Sequence, residues 1–145
     1  MLKINYLSQE RFAKYGRIFE FTDSDDSYFQ IQSDQAKAIG WRLALMKVSG
    51  RTFDKVNCHP NSVESFDPLR GTVVLIVAEP ERPDDIEAFL LDKPVCLNKS
   101  VWHNVISLSQ EAIVKIVENT YIESISYELG RNFEMGLLEI GRVVK

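Results

Sequence analysis

Cysteine and histidine are scarce in this sequence, with two residues of each among its 145. The two cysteines, Cys58 and Cys96, are too few for the disulfide framework that holds many small secreted domains together. A reducing, cytoplasmic location is therefore expected. Neither cysteine has a base next to it in the sequence, so both are expected to be small buried side chains rather than nucleophiles.

Basic clusters and long apolar runs are also missing. The chain has 17 basic and 21 acidic residues, a formal net charge of −4 and a pI of about 5.2. Because the cations are scattered, a nucleic-acid-binding surface is not expected. The longest apolar run, 73–78, is far too short to span a bilayer, and the N-terminus has no charged-then-apolar leader. Neither a membrane span nor a signal peptide is expected.

The composition that remains is that of an ordinary globular domain. Hydrophobic residues make up 45% of the chain and charged residues 26%, and 145 residues are enough to bury a core without disulfides. No internal repeat, low-complexity segment or linker divides the sequence. We therefore expect a single domain over residues 1–145.

One short helix and a series of short strands are predicted. Ser8 can cap the helix, and Gly16 can end it in a left-handed conformation. Apolar and β-branched segments between turn residues predict strands at 43–48, 52–59, 71–78, 86–91, 101–108 and 112–117. Residues 121–127 are a further candidate strand, and 132–144 fit either a strand or a helix. Short strands at this spacing indicate a barrel or sandwich.

Both histidines lie in segments whose spacing is informative. The first segment carries, in order, Asn57, Cys58, His59, Glu64 and Gly71. Since side chains alternate along a strand, Asn57 and His59 share one face while Cys58 points away. The second segment, 94–103, ends at His103.

These segments resemble the two cupin motifs. In the first motif, two histidines one residue apart are followed by a glutamate and then, after six residues, by a glycine; Asn57 takes the place of the first histidine. The second motif contributes a final histidine, which corresponds to His103. The resemblance implies a mainly β, cupin-like barrel (a double-stranded β-helix or jelly roll) with a short N-terminal helix, in which His59, Glu64 and His103 converge.

Two imidazoles and a carboxylate form a ligand set suited to Mn, Fe, Ni or Zn with positions left open for substrate or water. Asn57 can add a weak amide-oxygen ligand. A metal-free pocket in which His103 or Glu64 transfers protons is an alternative. A third possibility is that both histidines are structural.

Four local matches resemble the ureidoglycolate lyase family, whose members are also called ureidoglycolate hydrolases. They are 7–16, 43–45, the stretch from His59-Pro60 through 78, and Val101-Trp102-His103. Membership implies a carbon–nitrogen lyase of the amidine-lyase type that cleaves ureidoglycolate to glyoxylate and urea in allantoin degradation, a branch of purine catabolism. Such a reaction needs a base, an acid and donors that hold a carboxylate. At matching positions, His59 and His103 are the acid–base candidates, and Glu64 orients one of them or binds the ureido group. Asn57, Asn98 and Lys99 are expected to contact the substrate.

The chain departs from the family pattern around the predicted substrate. Asn57-Cys58 stands where the family carries Glu-Arg, and 96–100 reads Cys-Leu-Asn-Lys-Ser where the family carries Asn-Tyr-His-Arg-Gly. Glu64 replaces a common glutamine. These changes indicate a relative with an altered substrate, or a non-catalytic or metal-dependent cupin that binds another small hydroxy or keto acid. A homodimer that pairs through edge strands is also expected, with the C-terminal tail offering one edge.

Overall fold

The structure is a computed structural model that describes residues 2–21 and 30–134. The predictions made for the tail beyond residue 134 lie outside these ranges. Helix α1 is Gln9–Phe12. The strands are β1 Ile4–Asn5, β2 Gly16–Ile18, β3 Trp41–Val48, β4 Thr52–Cys58, β5 Glu64–Arg70, β6 Val73–Ala78, β7 Glu87–Leu90, β8 Val95–Leu97, β9 Trp102–Ser107, β10 Ala112–Asn119 and β11 Ile125–Glu134.

The strands form two sheets whose order is that of a jelly roll. One sheet has the order β1-β7-β6-β9-β4-β11 and the other the order β2-β8-β5-β10-β3. The eight central strands form four pairs: β3 with β10, β4 with β9, β5 with β8, and β6 with β7. Successive pairs lie in opposite sheets, and all pairings among these strands are antiparallel. This is the connectivity of the jelly roll, the fold to which cupins belong. The predicted mainly β, cupin-like barrel is therefore confirmed.

The barrel interior is packed with apolar side chains that alternate along their strands. On β6, Val73, Leu75 and Val77 belong to the cluster between the sheets, whereas Val74 and Ile76 belong to a second cluster on the outer face of the six-stranded sheet. All six residues of β6 are buried, as its continuous apolar sequence predicts. Strand parity thus identifies which residues on the neighbouring strands face inward.

The N-terminal helix is confirmed, but the role expected for Gly16 is wrong. The Ser8 hydroxyl accepts a hydrogen bond from the Arg11 amide, and the helix ends at Phe12. Gly16 begins β2, and a β-carbon at this position would lie 1.9 Å from the Cys96 carbonyl oxygen. The glycine is therefore required by the close approach of β2 to β8, and not by a left-handed turn.

Most predicted strands are present, with ends that differ by one to a few residues. The strands β1, β2, β5 and β8 were not predicted. β1, β2 and β8 have only two or three residues each, and β5 contains Asp67 and Pro68 and lacks an apolar run. The candidate strand at 121–127 begins later, at Ile125, and continues to Glu134. In the described part of the chain, no helix has the length and apolar character needed to cross a bilayer.

Candidate functional site

Three side chains from separate parts of the barrel converge at one end of it. His59 follows the last residue of β4, Glu64 is the first residue of β5, and His103 is the second residue of β9. The Oε2 atom of Glu64 lies 3.3 Å from Nε2 of His59 and 3.0 Å from Nε2 of His103. The structure thus brings together the three residues that the sequence selects as a ligand or acid–base set.

Backbone carbonyls determine which nitrogen of each imidazole carries the proton. His59 Nδ1 lies 3.0 Å from the Glu123 carbonyl oxygen, and His103 Nδ1 lies 3.0 Å from that of Val101. Since a carbonyl only accepts, each Nδ1 donates, and each neutral imidazole presents an unprotonated Nε2 to the carboxylate. This orientation is typical of histidines that bind metals or transfer protons.

Lone pairs on both Nε2 atoms and on the carboxylate point toward one another. The three side chains are largely buried, and Oε2 of Glu64 has no hydrogen bond within the described chain. Such an arrangement is electrostatically unfavourable unless a cation, either a proton or a metal ion, lies among the three groups. The site is therefore a receptor for positive charge.

The pKa values of the site agree with this conclusion. Burial raises the pKa of Glu64, but hydrogen bonds and charges from the imidazoles of His103 and His59, available when Nε2 carries the added proton, together outweigh it and lower this pKa to about 2. The pKa of His59 is raised, chiefly by Glu64, and burial opposes the rise only in part. The charge of Glu118 also contributes to the rise. Glu64 is a carboxylate at neutral pH, and it stabilises an added proton on His59.

Asn57 lies next to the three residues but does not join them. It is opposite His103 across β4 and β9 and therefore shares the inward face. Its Oδ1 accepts a hydrogen bond of 2.6 Å from the Ser126 hydroxyl. As predicted from alternation, Cys58 is on the other side of the strand, and it is buried. The amide thus lies beside His103 and is held by Ser126 of β11.

The other two predicted substrate contacts, Asn98 and Lys99, are on the turn between β8 and β9. Both side chains are exposed, and neither takes part in the hydrogen bonds that hold the three site residues. The backbone of this turn is next to His59, because the Ser100 amide donates a hydrogen bond to the His59 carbonyl oxygen. Ser100 has a φ of 65°, at the position where the resembled family carries glycine.

Two charged residues of the pocket wall, Arg42 and Glu118, were not selected from the sequence. Glu118 on β10 is directly opposite Glu64 on β5 and directly opposite Arg42 on β3. The Arg42 guanidinium donates a hydrogen bond of 2.8 Å from Nε to Oε1 of Glu118, and its Nη2 lies 2.6 Å from the same oxygen. Alternation along β3 offered one signal for Arg42, because it places Arg42 on the same face as Met46 and Val48. The opposite face of β3 carries Trp41 and Leu43. The sequence did not show which face is inward.

A wide depression elsewhere on the barrel contains none of these groups. It is lined by 68–72 and 90–92, at the far end of β5 from Glu64. No histidine lines it. The converging side chains, and not this depression, carry the chemistry that the structure presents.

Comparison with known proteins gives one sequence relative and several solved structures. No family model matches the chain. The ureidoglycolate lyase of Agrobacterium fabrum is 29% identical over an alignment that covers 70% of this chain and 74% of the relative. This relative is a ureidoglycolate lyase, the family that the local motifs of this chain resemble.

The solved structures found are much larger proteins. They include the oxalate decarboxylase of Bacillus subtilis, which has Mn(II) centres (16% identity, TM-score 0.47), and that of Lactobacillus farciminis in a formate complex (14%, 0.47). Each match covers 63% of this chain, but only 24% and 27% of the respective solved chain. A vicilin from Solanum melongena matches with 16% identity and a TM-score of 0.46 over 61% of this chain and 24% of its own. This chain therefore spans about a quarter of each solved chain.

Proposed function

We propose that this protein is a cytoplasmic cupin-type lyase that cleaves ureidoglycolate, or a closely related small hydroxy acid, at a carbon–nitrogen bond. The observation that carries the proposal is the convergence of His59, Glu64 and His103, with both Nε2 atoms directed at one carboxylate oxygen. The similarity to the Agrobacterium fabrum enzyme supports the choice of reaction.

The three side chains suit an elimination that needs one base and one acid. Nε2 of His103 takes the proton of the substrate hydroxyl as the carbonyl group of glyoxylate forms. His59, whose pKa is raised, donates a proton to the departing urea nitrogen as the carbon–nitrogen bond breaks. Glu64 contacts both imidazoles, so a proton can return from His103 to His59 and the site is restored with no net change.

The same donor set fits a divalent metal ion. Separations of 3.0 and 3.3 Å between donor atoms are close to those expected when ligands about 2.1 Å from one ion meet at angles between 90° and tetrahedral. The three donors all lie within 4.8 Å of one another, and the orphaned Oε2 of Glu64 would gain a partner. His59, Glu64 and His103 would hold Mn, Fe, Ni or Zn, which would polarise the substrate hydroxyl. Asn57 would line the remaining side.

The alternative is a cupin that binds a different small hydroxy or keto acid, with or without catalysis. It is favoured by Leu97, which stands where the resembled family has tyrosine and is opposite Glu64 across β5 and β8. Leu97 is buried in the core between the sheets and offers no hydroxyl to a substrate. Asn57 likewise stands where the resembled family has glutamate, so the negative charge of that family residue is absent here.

A homodimer is also proposed, through β3 and not through the C-terminal strand. Among the described strands, β11 is the edge strand next to β4 in one sheet, and β3 is the edge strand next to β10 in the other. The outward side chains Trp41, Leu43 and Leu45 are more than half exposed, whereas β11 carries several charged residues along its length. Apolar edge strands favour pairing and charged ones oppose it, so a second copy is expected on β3.

Elemental analysis combined with a glyoxylate-release assay tests the function. The wild type, His59→Ala and His103→Ala are compared, with Lys47→Ala on the outer face of β3 as control. We expect glyoxylate from ureidoglycolate with the wild type and control, and a loss of at least about a hundredfold in both histidine variants. Near-stoichiometric metal that disappears in both histidine variants assigns them as ligands. Active wild type without metal supports the proton-transfer version, and an inactive wild type that binds small acids supports the alternative.

A further inference from the structure

We propose that Arg42 binds the carboxylate of the substrate and thereby selects small acids for this pocket. This inference rests on the proposed function, since it identifies the residue that recognises the acid group in the same site. A lyase or a binding protein for hydroxy acids needs a cation or several donors for the carboxylate, and a guanidinium can hold both of its oxygens at once.

The position of Arg42 on β3 turns it toward the barrel interior. Met46 and Val48, which have the same parity, pack against the cluster between the sheets. Arg42 is opposite Glu118, and Glu118 is opposite Glu64, so the three residues form one row across the inner face of β3, β10 and β5. The guanidinium therefore lies on the same wall as the carboxylate that contacts both histidines.

Glu118 holds the guanidinium in place and leaves part of it available. Both contacts go to one oxygen, Oε1, from Nε and Nη2. The Glu118 side chain is only 8% exposed, whereas that of Arg42 is 52% exposed. In the described chain, Nη1 has neither a hydrogen bond nor an ion pair, so its N–H groups are free for an incoming anion.

The spacing limits the size of the acid. Two inter-strand steps separate the backbones of Arg42 and Glu64, which corresponds to about 10 Å. Both side chains project from the inner face with Glu118 between them, so a molecule of a few atoms can reach the guanidinium with its carboxylate and the imidazoles with its other end. Glu118, which holds the guanidinium, is directly opposite Glu64, whose carboxylate contacts both imidazoles.

Other cations of the described chain are less suitable. Lys115 and Lys47 are tied to the carboxylates of Asp67 and Glu111. Lys99 is exposed on the turn after β8, and Lys55 is exposed on β4. Neither of these two lysines contacts a carboxylate of the pocket, whereas Arg42 does. Lys55, which is not among the site residues, therefore serves as the matched control for the removal of a positive charge, and Lys99 is tested as the rival carboxylate-binding residue.

Calorimetric titration of the purified protein with oxalate, glyoxylate and the neutral amide glycolamide tests the inference. Arg42→Gln should weaken binding of the two acids at least about tenfold and leave glycolamide unchanged. The affinity of Arg42→Lys for the acids should lie between those of Arg42→Gln and the wild type, and Lys55→Gln should resemble the wild type. Near-ultraviolet circular dichroism verifies that each variant is folded.

The double variant Arg42→Gln/Glu118→Gln separates loss of the guanidinium from exposure of the Glu118 charge. The double variant should bind the two acids as weakly as Arg42→Gln does. Recovery of acid binding would mean that repulsion by the Glu118 charge caused the defect, and it would overturn the inference. If Arg42→Gln still binds the acids as the wild type does, or if Lys99→Gln abolishes acid binding instead, the inference is overturned. The proposed function is unaffected by either outcome. A wild type that binds neither acid overturns both.

Discussion

Glu64 and Glu118 stand directly opposite each other on β5 and β10, and each carboxylate has different partners. Glu64 is contacted by two imidazoles, and Glu118 by the guanidinium of Arg42. The pocket wall therefore contains one carboxylate assigned to proton or metal chemistry and one assigned to holding a cation. Two buried carboxylates side by side are tolerated because each is compensated locally.

The first prediction concerns the titration of His59. Because Glu64 is the main cause of its raised pKa, Glu64→Gln should bring that pKa down toward 6.5, which nuclear magnetic resonance titration in the presence of a chelator would measure. A group whose pKa is raised on folding stabilises the protein fully below its unfolded pKa, and the effect is lost as pH rises through the folded value. The free energy of unfolding should therefore decrease more between pH 6 and pH 9 in the wild type than in Glu64→Gln. Equal decreases would show that the two groups are not coupled.

The second prediction concerns metal affinity and pH. A metal ion must displace the proton that Glu64 stabilises on His59, so the apparent affinity should rise with pH through 6.5 and above it. Competition with a chromophoric chelator across this range would measure the effect. An affinity that does not change with pH would contradict direct binding through His59.

The third prediction concerns Gly71, the glycine of the first cupin-like motif. Its φ is +77°, and a β-carbon there would lie 2.6 Å from the Glu111 carbonyl oxygen. Gly71→Ala should therefore destabilise the protein by about 1–3 kcal/mol or more, as measured by urea unfolding. Gly50→Ala is the matched control, since a β-carbon at Gly50 meets no atom within 4 Å. Similar losses in both variants would contradict the steric explanation.

The fourth prediction concerns Phe66, whose ring is 1% exposed and packs edge-on against His103 with ring centres 5.5 Å apart. Phe66→Ala should lower the free energy of unfolding by about 3–5 kcal/mol and weaken the position of His103. Leu69→Ala, on the same strand and 56% exposed, should change stability by no more than about 0.5 kcal/mol. Urea unfolding of both variants tests this, and a small loss for Phe66→Ala would mean that the core collapses around it.

The fifth prediction concerns the oligomer. Leu43→Glu/Leu45→Glu should convert the proposed dimer to a monomer in light-scattering measurements, because four like charges would meet at the paired edge. Ile125→Glu on β11 should leave the dimer intact. The reverse result would place the interface on the C-terminal strand, as first expected from the sequence.

Local sequence determined much of this protein. Alternating and continuous apolar runs predicted most strands, because burial of one or both faces sets their periodicity, and the spacing of His59, Glu64 and Gly71 selected the site residues. The strand β5 was missed because its polar and proline residues are accommodated by pairing with β8 and β10, which are distant in sequence.

Only the tertiary structure decided the rest of the pocket. Arg42 and Glu118 are 76 residues apart, and they meet because β3 and β10 pair in one particular register. The tautomers of both histidines likewise depend on carbonyl groups whose positions the folded backbone sets. Sequence periodicity reports which residues share a face, but long-range strand pairing decides which faces meet.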